Sequence, residues 1–373
     1  MKEPKIRFKG FSGEWKECTL SNIITVNSGK DYKHLEKGTI PVYGTGGYML
    51  SVNTSLSEHD AIGIGRKGTI DKPQYLNAPF WTVDTLFFLT TNNGDNLDFL
   101  FNLSQNIRWQ KYDESTGVPS LSKNNIDKIK TCIPNKFEQQ SVASFFTSLD
   151  AQISASTTRL ASLKQMKAAS LQAMFPQEGE TVPKVRFKGF DGEWKAVKLG
   201  EIFSERNESN INGEMLSVTQ HNGIIKASEN GRFDNSNSDK SGYKVVMVGD
   251  IAYNSMRMWQ GASGYSPYEG IVSPAYTVII PQEGIHSSFF AYLFKNESII
   301  KTFRLHSQGL TSDTWNLKFP AFSKIEVLFP MNIDEQKQIA SFFTSLDRQI
   351  ALHTQRLEKL KQIKAACLDK MFV

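Results

Sequence analysis

The sequence predicts a mixed α+β fold built twice: two globular domains of mixed strands and helices, separated by two long helices that form an antiparallel coiled coil, an internal duplication with pseudo-twofold symmetry. Three observations predict it. Two segments recur nearly unchanged in both halves of the 373-residue chain, one of them carries a heptad seam, and the stretches between hold short apolar runs set off by Gly, Asn and Asp.

Residues 4–20, PKIRFKGFSGEWKECTL, return at 183–199 as PKVRFKGFDGEWKAVKL, with 12 of 17 positions identical at an offset of 179. Residues 138–153, EQQSVASFFTSLDAQI, return at 335–350 as EQKQIASFFTSLDRQI, with 12 of 16 identical at an offset of 197. The stretches between these matched ends share no obvious identity. The frame is duplicated and its contents differ.

The second recurring segment reads as the start of a long helix. Asn135 with Glu138, and Asn332 with Glu335, have capping-box spacing, with Asn in the Ser/Thr role. Val142, Phe146, Leu149, Ile153, Leu160, Leu163 and Met174 then follow a heptad, and their equivalents are Ile339, Phe343, Leu346, Ile350, Leu357, Leu360 and Met371. Ser156 and His353, and Lys167 and Lys364, interrupt the seam either as a frayed, solvated stretch or as residues that fix register. Neither helix contains proline, and each closes on Met-Phe, at 174–175 and at 371–372; PQEGETVP after the first is a linker. About 37 helical residues at roughly 1.5 Å each give a rod of about 55 Å. A helix with such a seam needs a partner, and its duplicate supplies one in antiparallel register. The organisation expected is a first globular domain at 1–134, the first long helix and linker at 135–178, a second globular domain at 179–331 and the second long helix at 332–373.

The contents of each half read as mixed α/β. Strand-like runs lie at 61–65, 85–89, 243–248 and 275–280, and helical stretches near Leu97 to Tyr112 and Ser287 to Phe303. Hydrophobic residues at 39% and charged residues at 22% place the chain among globular proteins rather than disordered ones. No apolar run approaches membrane-spanning length, so a cytoplasmic protein without a membrane partner is expected. The three cysteines, Cys18, Cys132 and Cys367, have no CxxC spacing and read as buried thiols rather than a disulfide framework or a zinc site. Net charge of +5 is too small a bias to name a nucleic-acid partner by itself.

Enzyme classes drop out in turn. Gly29-Lys30 lacks the upstream glycine of a P-loop, and the six histidines show neither HxH nor HExxH spacing, so neither nucleotide hydrolysis nor a metal is indicated. An Asn/Asp-Pro-Pro-aromatic methyltransferase tetrad is absent. Glu14-Trp15-Lys16 and Glu193-Trp194-Lys195 match half of a metal-dependent nuclease core, but no second carboxylate is evident; a packing tryptophan beside a surface ion pair explains them. No catalytic residue and no metal ligand is assigned.

Recognition remains. In the first half, Tyr43, Thr45, Gly46, Tyr48, Arg66, Lys67 and Trp81 combine glycines, aromatics and a basic pair, which suits loops that approach a phosphate backbone and a base edge. In the second, Gln220, His221, Asn222, Tyr253, Asn254, Ser255, Arg257 and Trp259 offer amides, a guanidinium and aromatics of the kind that read purines. Asp60 through Arg66 and Asp250 through Arg257 occupy equivalent positions.

With the doubled Arg-Phe-x-Gly-Phe-x-Gly-Glu-Trp segment, the doubled Glu-Gln-x-x-x-Ala helix start after a proline and the two unlike middles, the chain resembles over its whole length the specificity subunit of type I restriction-modification enzymes. Gly249-Asp-Ile-Ala-Tyr-Asn254 and Gly65-Arg-Lys-Gly68 look like signatures of its target-recognition domains. The resemblance implies a sequence-specific, non-catalytic subunit: each target-recognition domain reads one half of a bipartite site in double-stranded DNA, and the helices set the spacer. It implies two methyltransferase (modification) subunits docked on the helices and methylating adenine N6, and restriction/translocase subunits joining that complex. No cofactor is expected in this chain; S-adenosylmethionine belongs to the methyltransferase partner, and ATP and Mg to the restriction partner. A metal-dependent nuclease and a coiled-coil protein scaffold are the rival readings.

Overall fold

The two recurring segments of each half meet in space. The computed structural model describes residues 2–220, 223–229 and 240–373, and the chain divides into two compact units, 1–158 with 354–373, and 159–353. The long helices run Lys136–Ala173 and Ile333–Met371, so each unit holds the start of one and the end of the other.

In the first unit the Arg7 guanidinium donates from Nε and Nη2 to the two oxygens of Glu138, each at 2.7 Å, and the carboxylate is almost wholly buried. Arg186 does the same to Glu335 in the second unit, at 2.7 and 2.8 Å. This corrects the capping-box reading by half. Asn135 Oδ1 does accept from the Glu138 backbone at 3.0 Å, and Asn332 Oδ1 from Asp334 at 2.9 Å, but each glutamate carboxylate is taken by an arginine far away in the chain. The next residue, Gln139, accepts from the Asn96 backbone at 3.0 Å and donates to Pro134 O; Gln336 accepts from the His286 backbone at 2.9 Å and donates to Pro330 O. Each Glu-Gln pair therefore anchors the helix start to two other parts of its unit.

The same opening segment receives the other helix's tail. Ile6 N donates to Lys370 O and Val185 N to Ala173 O, both at 2.9 Å, satisfying last-turn carbonyls that a helix leaves unpaired. Phe372 then lies among Trp15, Phe99 and Phe146, and Phe175 among Trp194, Phe289 and Phe343, with ring centroids 5.4–6.2 Å apart. The doubled Glu-Trp-Lys motif is thus a core tryptophan at the mouth of a strand. The seam residues between are buried or partly buried, and past the first turns most of their neighbours face water. Lys364 pairs with Asp150 in the first unit and Lys167 with Asp347 in the second, so these seam lysines are neither frayed nor simply solvated. The pairings within each unit are those of an antiparallel coiled coil.

Each unit's contents begin and end on a two-stranded antiparallel ribbon, Lys16–Thr19 with Lys130–Ile133, and Lys195–Lys198 with Glu326–Phe329. Between its ends, each unit builds a four-stranded antiparallel sheet in the same order. In the first it is Ile24–Ser28, Leu86–Thr91, Ala61–Gly65, Gln74–Leu76; in the second, Phe203–Glu205, Tyr276–Pro281, Ile251–Asn254, Ser263–Tyr265. The duplication therefore continues through middles that share no obvious sequence identity. What differs is hung on that sheet. The first unit adds Gly47–Val52, Lys37–Gly44 and Trp81–Thr82; the second adds two ribbons, Leu216–Thr219 with Gly223–Lys226 and Lys244–Val246 with Gly270–Val272.

The two helical stretches expected in the middles are each broken. Leu97–Asn106 is followed by a separate 3-10 turn at Trp109–Tyr112, and Ser287–Leu293 gives way to Glu297–His306 because Asn296 caps a new start, its Oδ1 accepting from Ser298 N at 2.9 Å. The three cysteines are free and only partly buried.

Arg7→Ala and Arg186→Ala each leave a buried carboxylate unpaired, and each should lower stability by about 3 kcal/mol, measured by thermal unfolding and by faster hydrogen exchange at the start of the helix concerned. A loss near zero would mean that water replaces the guanidinium. Because Met174-Phe175 and Met371-Phe372 occupy equivalent sockets, a fragment ending near Gln177 should form an antiparallel dimer in which each copy's Phe175 fills the other's Trp15 socket. A monomer at micromolar concentration by sedimentation would refute that.

Candidate nucleic-acid interface

In the first unit three loops converge at one end of strand Ala61–Gly65. Lys37–Gly44 turns at Thr45-Gly46 into Gly47–Val52, and Gly47 takes φ +107°, a conformation that suits glycine. Gln74 Nε2 fixes the turn by donating to Gly44 O at 3.0 Å and Thr45 O at 3.1 Å. Tyr43 and Tyr48 meet edge to face at 6.5 Å, and Tyr48 is 62% exposed. At the strand end Arg66 and Lys67 are exposed, the Arg66 guanidinium 5.7 Å from the centre of the Phe87 ring. The third loop, 113–120, is joined to them: Gly68 N donates to Pro119 O at 2.8 Å and Leu121 N to Arg66 O at 2.9 Å. Gly68 lies close to Thr45, so the turn, the basic pair and the third loop form one surface.

In the second unit the equivalent strand, Ile251–Asn254, leads into loop 255–261, and Leu317 N donates to Ser255 O at 2.8 Å from a loop at 307–317. Arg257 is exposed. Trp259 donates from Nε1 to Met256 O at 3.0 Å and meets Trp315 edge to face at 5.2 Å; the Arg304 guanidinium lies 5.1 Å from the centre of the Trp315 ring. Asn254 is half-buried and spends its Oδ1 on Met256 N at 3.0 Å, building the loop. Gln220 is exposed, and its carbonyl accepts from Lys295 Nζ at 2.9 Å; His221 and Asn222 lie outside the described residues.

Three assignments from the sequence are corrected here. Trp81 is 5% exposed, packed with Val42, Val52 and Val83, and its Nε1 donates to Lys30 O at 2.9 Å, so it holds the sheet and presents no face to a ligand. Tyr253 is fully buried and stacked on Phe322, and the Ser255 hydroxyl is buried against Thr277 at 2.8 Å. The glycines of 61–65 also serve the chain itself: a Cβ on Gly65 would lie 2.1 Å from Thr69 O, and one on Gly63 would press on Leu76. Gly46, Tyr48, Arg66, Lys67, Gln220, Arg257 and, in part, Tyr43, Thr45, Asn254 and Trp259 remain at the surface.

Sequence reasoning missed Arg304, Trp315, the loop 113–120 and Lys295. Lys295 is a positioning residue: its ammonium donates to the carbonyls of Gln220, Gly261 and Ser263, tying the 220 turn to the Arg257 loop. Burial, with Lys167 adding repulsion, pulls that ammonium down to about 7. Asp113 does the corresponding work in the first unit with opposite charge, accepting from Ser115 N, Ser115 Oγ and Ser120 N at 2.8–3.0 Å. Those bonds hold its carboxyl below the usual range.

The profile of the type I restriction modification DNA specificity domain matches residues 12–165 and 191–362. Among solved structures, the type I restriction-modification system S subunit from M. genitalium superimposes with a TM-score of 0.68 at 14% identity, covering 100% of this chain and 99% of that one. The HsdS subunit from Thermoanaerobacter tengcongensis is matched with the same coverage at 14% identity and a TM-score of 0.45. No curated protein sequence matches the chain. Among the described residues no helix is long and apolar enough to cross a membrane.

An unfolded lysine titrates near its ordinary value of about 10.4. Between about 7 and that value the folded chain binds fewer protons than the unfolded one, so the second unit should gain stability as pH rises through that window. Urea unfolding followed by tryptophan fluorescence reads this slope, and Lys295→Met should flatten it; a slope unchanged in the variant assigns it to other groups.

Proposed function

This chain belongs to the type I restriction modification DNA specificity family, and we propose that its two units divide DNA target recognition between them, each reading one half of a bipartite site. One observation carries the proposal. The same sheet position in both units ends in an exposed loop joined to neighbouring loops, yet the side chains offered on these loops are unlike: Thr45, Tyr48, Arg66 and Lys67 in one, Gln220, Arg257, Trp259 and Trp315 in the other. A shared scaffold with unlike reading residues is what two different half-sites require.

The rest of the proposal follows from the division of labour. The outward faces of the long helices, whose starts share Ala-Ser-Phe-Phe-Thr-Ser-Leu-Asp, dock two methyltransferase subunits, and the helices set the spacer between half-sites. Adenine N6 methylation takes place in those partners, which hold S-adenosylmethionine, on a base turned out of the duplex. Restriction/translocase subunits bring ATP and Mg. This chain contributes specificity in the cytoplasm and no catalytic group.

Methylation sequencing in a host that carries this chain with its methyltransferase partner tests the reading. Arg66→Ala or Lys67→Ala should relax or weaken one half-site, and Arg257→Ala the other. A base-reading side chain should cost about 1 to 3 kcal/mol at one position, whereas a phosphate contact should weaken all sequences alike and reduce the salt slope by about one. Exchanging residues 20–134 for those of another family member should alter only one half of the methylated sequence. Relaxed base preference in both half-sites from any one of these changes would sink the division of labour.

A further inference from the structure

Ser115-Thr-Gly-Val118 and Ser307-Gln-Gly-Leu310 share a Ser-x-Gly-aliphatic pattern at an offset of 192, which is neither of the two offsets of the frame. Both lie in the loop that joins the basic strand end, shortly before the short helices Lys123–Asp127 and Phe319–Phe322. In both the aliphatic residue stands in water: Val118 is 67% exposed and Leu310 101%. Single exposed apolar residues are common, so exposure alone decides nothing. Here, however, each loop is built to hold its tip out.

In the first unit the Asp113 carboxylate closes residues 113–120 into a ring of backbone and hydroxyl bonds, and Pro119 O accepts from Gly68 N at 2.8 Å. In the second, Gln308 and Asn316 exchange two backbone bonds at 2.9 and 2.8 Å, and Thr314 Oγ1 accepts from Thr311 N at 3.1 Å. Gly309 takes φ +141°, and a Cβ there would meet Thr314 O at 2.6 Å, so only glycine allows the turn that presents Leu310. Each loop fixes its backbone closely yet leaves Val118 or Leu310 in water, while Leu317 at the end of the second loop is fully buried.

We infer that Val118 and Leu310 are a pair of wedges, each entering the base stack of DNA beside the basic loop of its own unit; the inference rests on the reading of these units as DNA readers. Arg66 and Lys67 flank the first tip through the Gly68–Pro119 bond, and Arg304, in the last turn of helix Glu297–His306, lies over Trp315 of the second loop. Cations on the phosphates with a single apolar side chain between them suit a base step, because unstacking replaces one flat apolar contact with another. A protein partner would call for a wider apolar patch, whereas the chain neighbours Thr116, Ser120, Gln308 and Thr311 are polar, and the other exposed apolar residue of the second segment, Leu305, lies on the preceding helix.

The test uses the full chain with its methyltransferase partner and a duplex carrying the site mapped by methylation sequencing. Val118→Ala and Leu310→Ala should each lower affinity for the intact duplex about tenfold, the conservative Val118→Ile and Leu310→Met should restore it, and both tips are exposed enough for folding to be unaffected. Single mismatches are then scanned through each half-site. At one step in the half read by the altered unit the loss should shrink to less than about twofold, since a mismatched step costs less to unstack. Unchanged affinity in both alanine variants, or a loss that is the same on every mismatched duplex, overturns the wedges. Should the wild-type complex fail to prefer the mapped site over a scrambled duplex, the DNA-reading assignment itself fails, and the wedges with it.

Discussion

The rest of this structure depends on one interaction made twice: a bidentate arginine-carboxylate pair between the opening segment of each half and the first turn of the long helix that closes it. Glu138 and Glu335 are almost fully withdrawn from water, where a lone carboxylate is strongly disfavoured, so the partner guanidinium must be delivered to one place. Delivering it fixes everything adjacent in the chain. Phe8 lands on Phe145 and Phe187 on Phe342, the backbone at Ile6 and Val185 reaches the last turn of the other helix, and Trp15 and Trp194 face the incoming phenylalanine. Such a pair contributes less net stability than well-packed apolar groups of the same size, but misplacing it is costly, and that asymmetry specifies an arrangement.

That fixed base explains how the contents can vary. Lys16 pairs with Ile133 and Lys195 with Phe329, so in each unit the variable stretch leaves and returns at neighbouring points of one ribbon. An insert that starts and ends in the same place can change its loops without altering the helices beneath it. The four-stranded sheet is the second constant, and its central strand, Ala61–Gly65 or Ile251–Asn254, delivers the basic loop in both units.

The duplication, the helices and their seam were legible in the sequence because their signals are periodic or repeated. The role of Glu138 was not, because capping-box spacing is local while its partner lies 131 residues away. Trp81 and Tyr253 were misread for a related reason. An aromatic beside polar residues looks like a reading residue, yet Trp81 is buried against Val42 and Val52 and Tyr253 is stacked on Phe322, partners remote in sequence. Trp315 sits among Thr, Ser, Asp and Asn that mark an ordinary loop, and its importance comes only from its contact with Trp259. The Ser-x-Gly-aliphatic pair was visible in principle, but only to a comparison of the halves at a third offset, since insertions on either side displace it from the frame.

The two units also stiffen their loops by opposite chemistry, and this bears on how they bind. Asp113 gathers N–H and O–H donors around a carboxylate, whereas Lys295 gathers three carbonyls around an ammonium. Either device removes loop freedom before a ligand arrives, so less ordering entropy is lost on association. They differ in what they leave outside. The carboxylate uses up donors and adds negative charge near Arg66 and Lys67, which tempers the attraction of that surface for phosphate. The ammonium spends its charge on inward-facing carbonyls and leaves Arg257 and Arg304 to act outward. Lys295 has one inward N–H for each of its three carbonyls, so a single side chain ties the turn at Gln220 to the Arg257 loop, where the first unit uses a ring of backbone and hydroxyl donors.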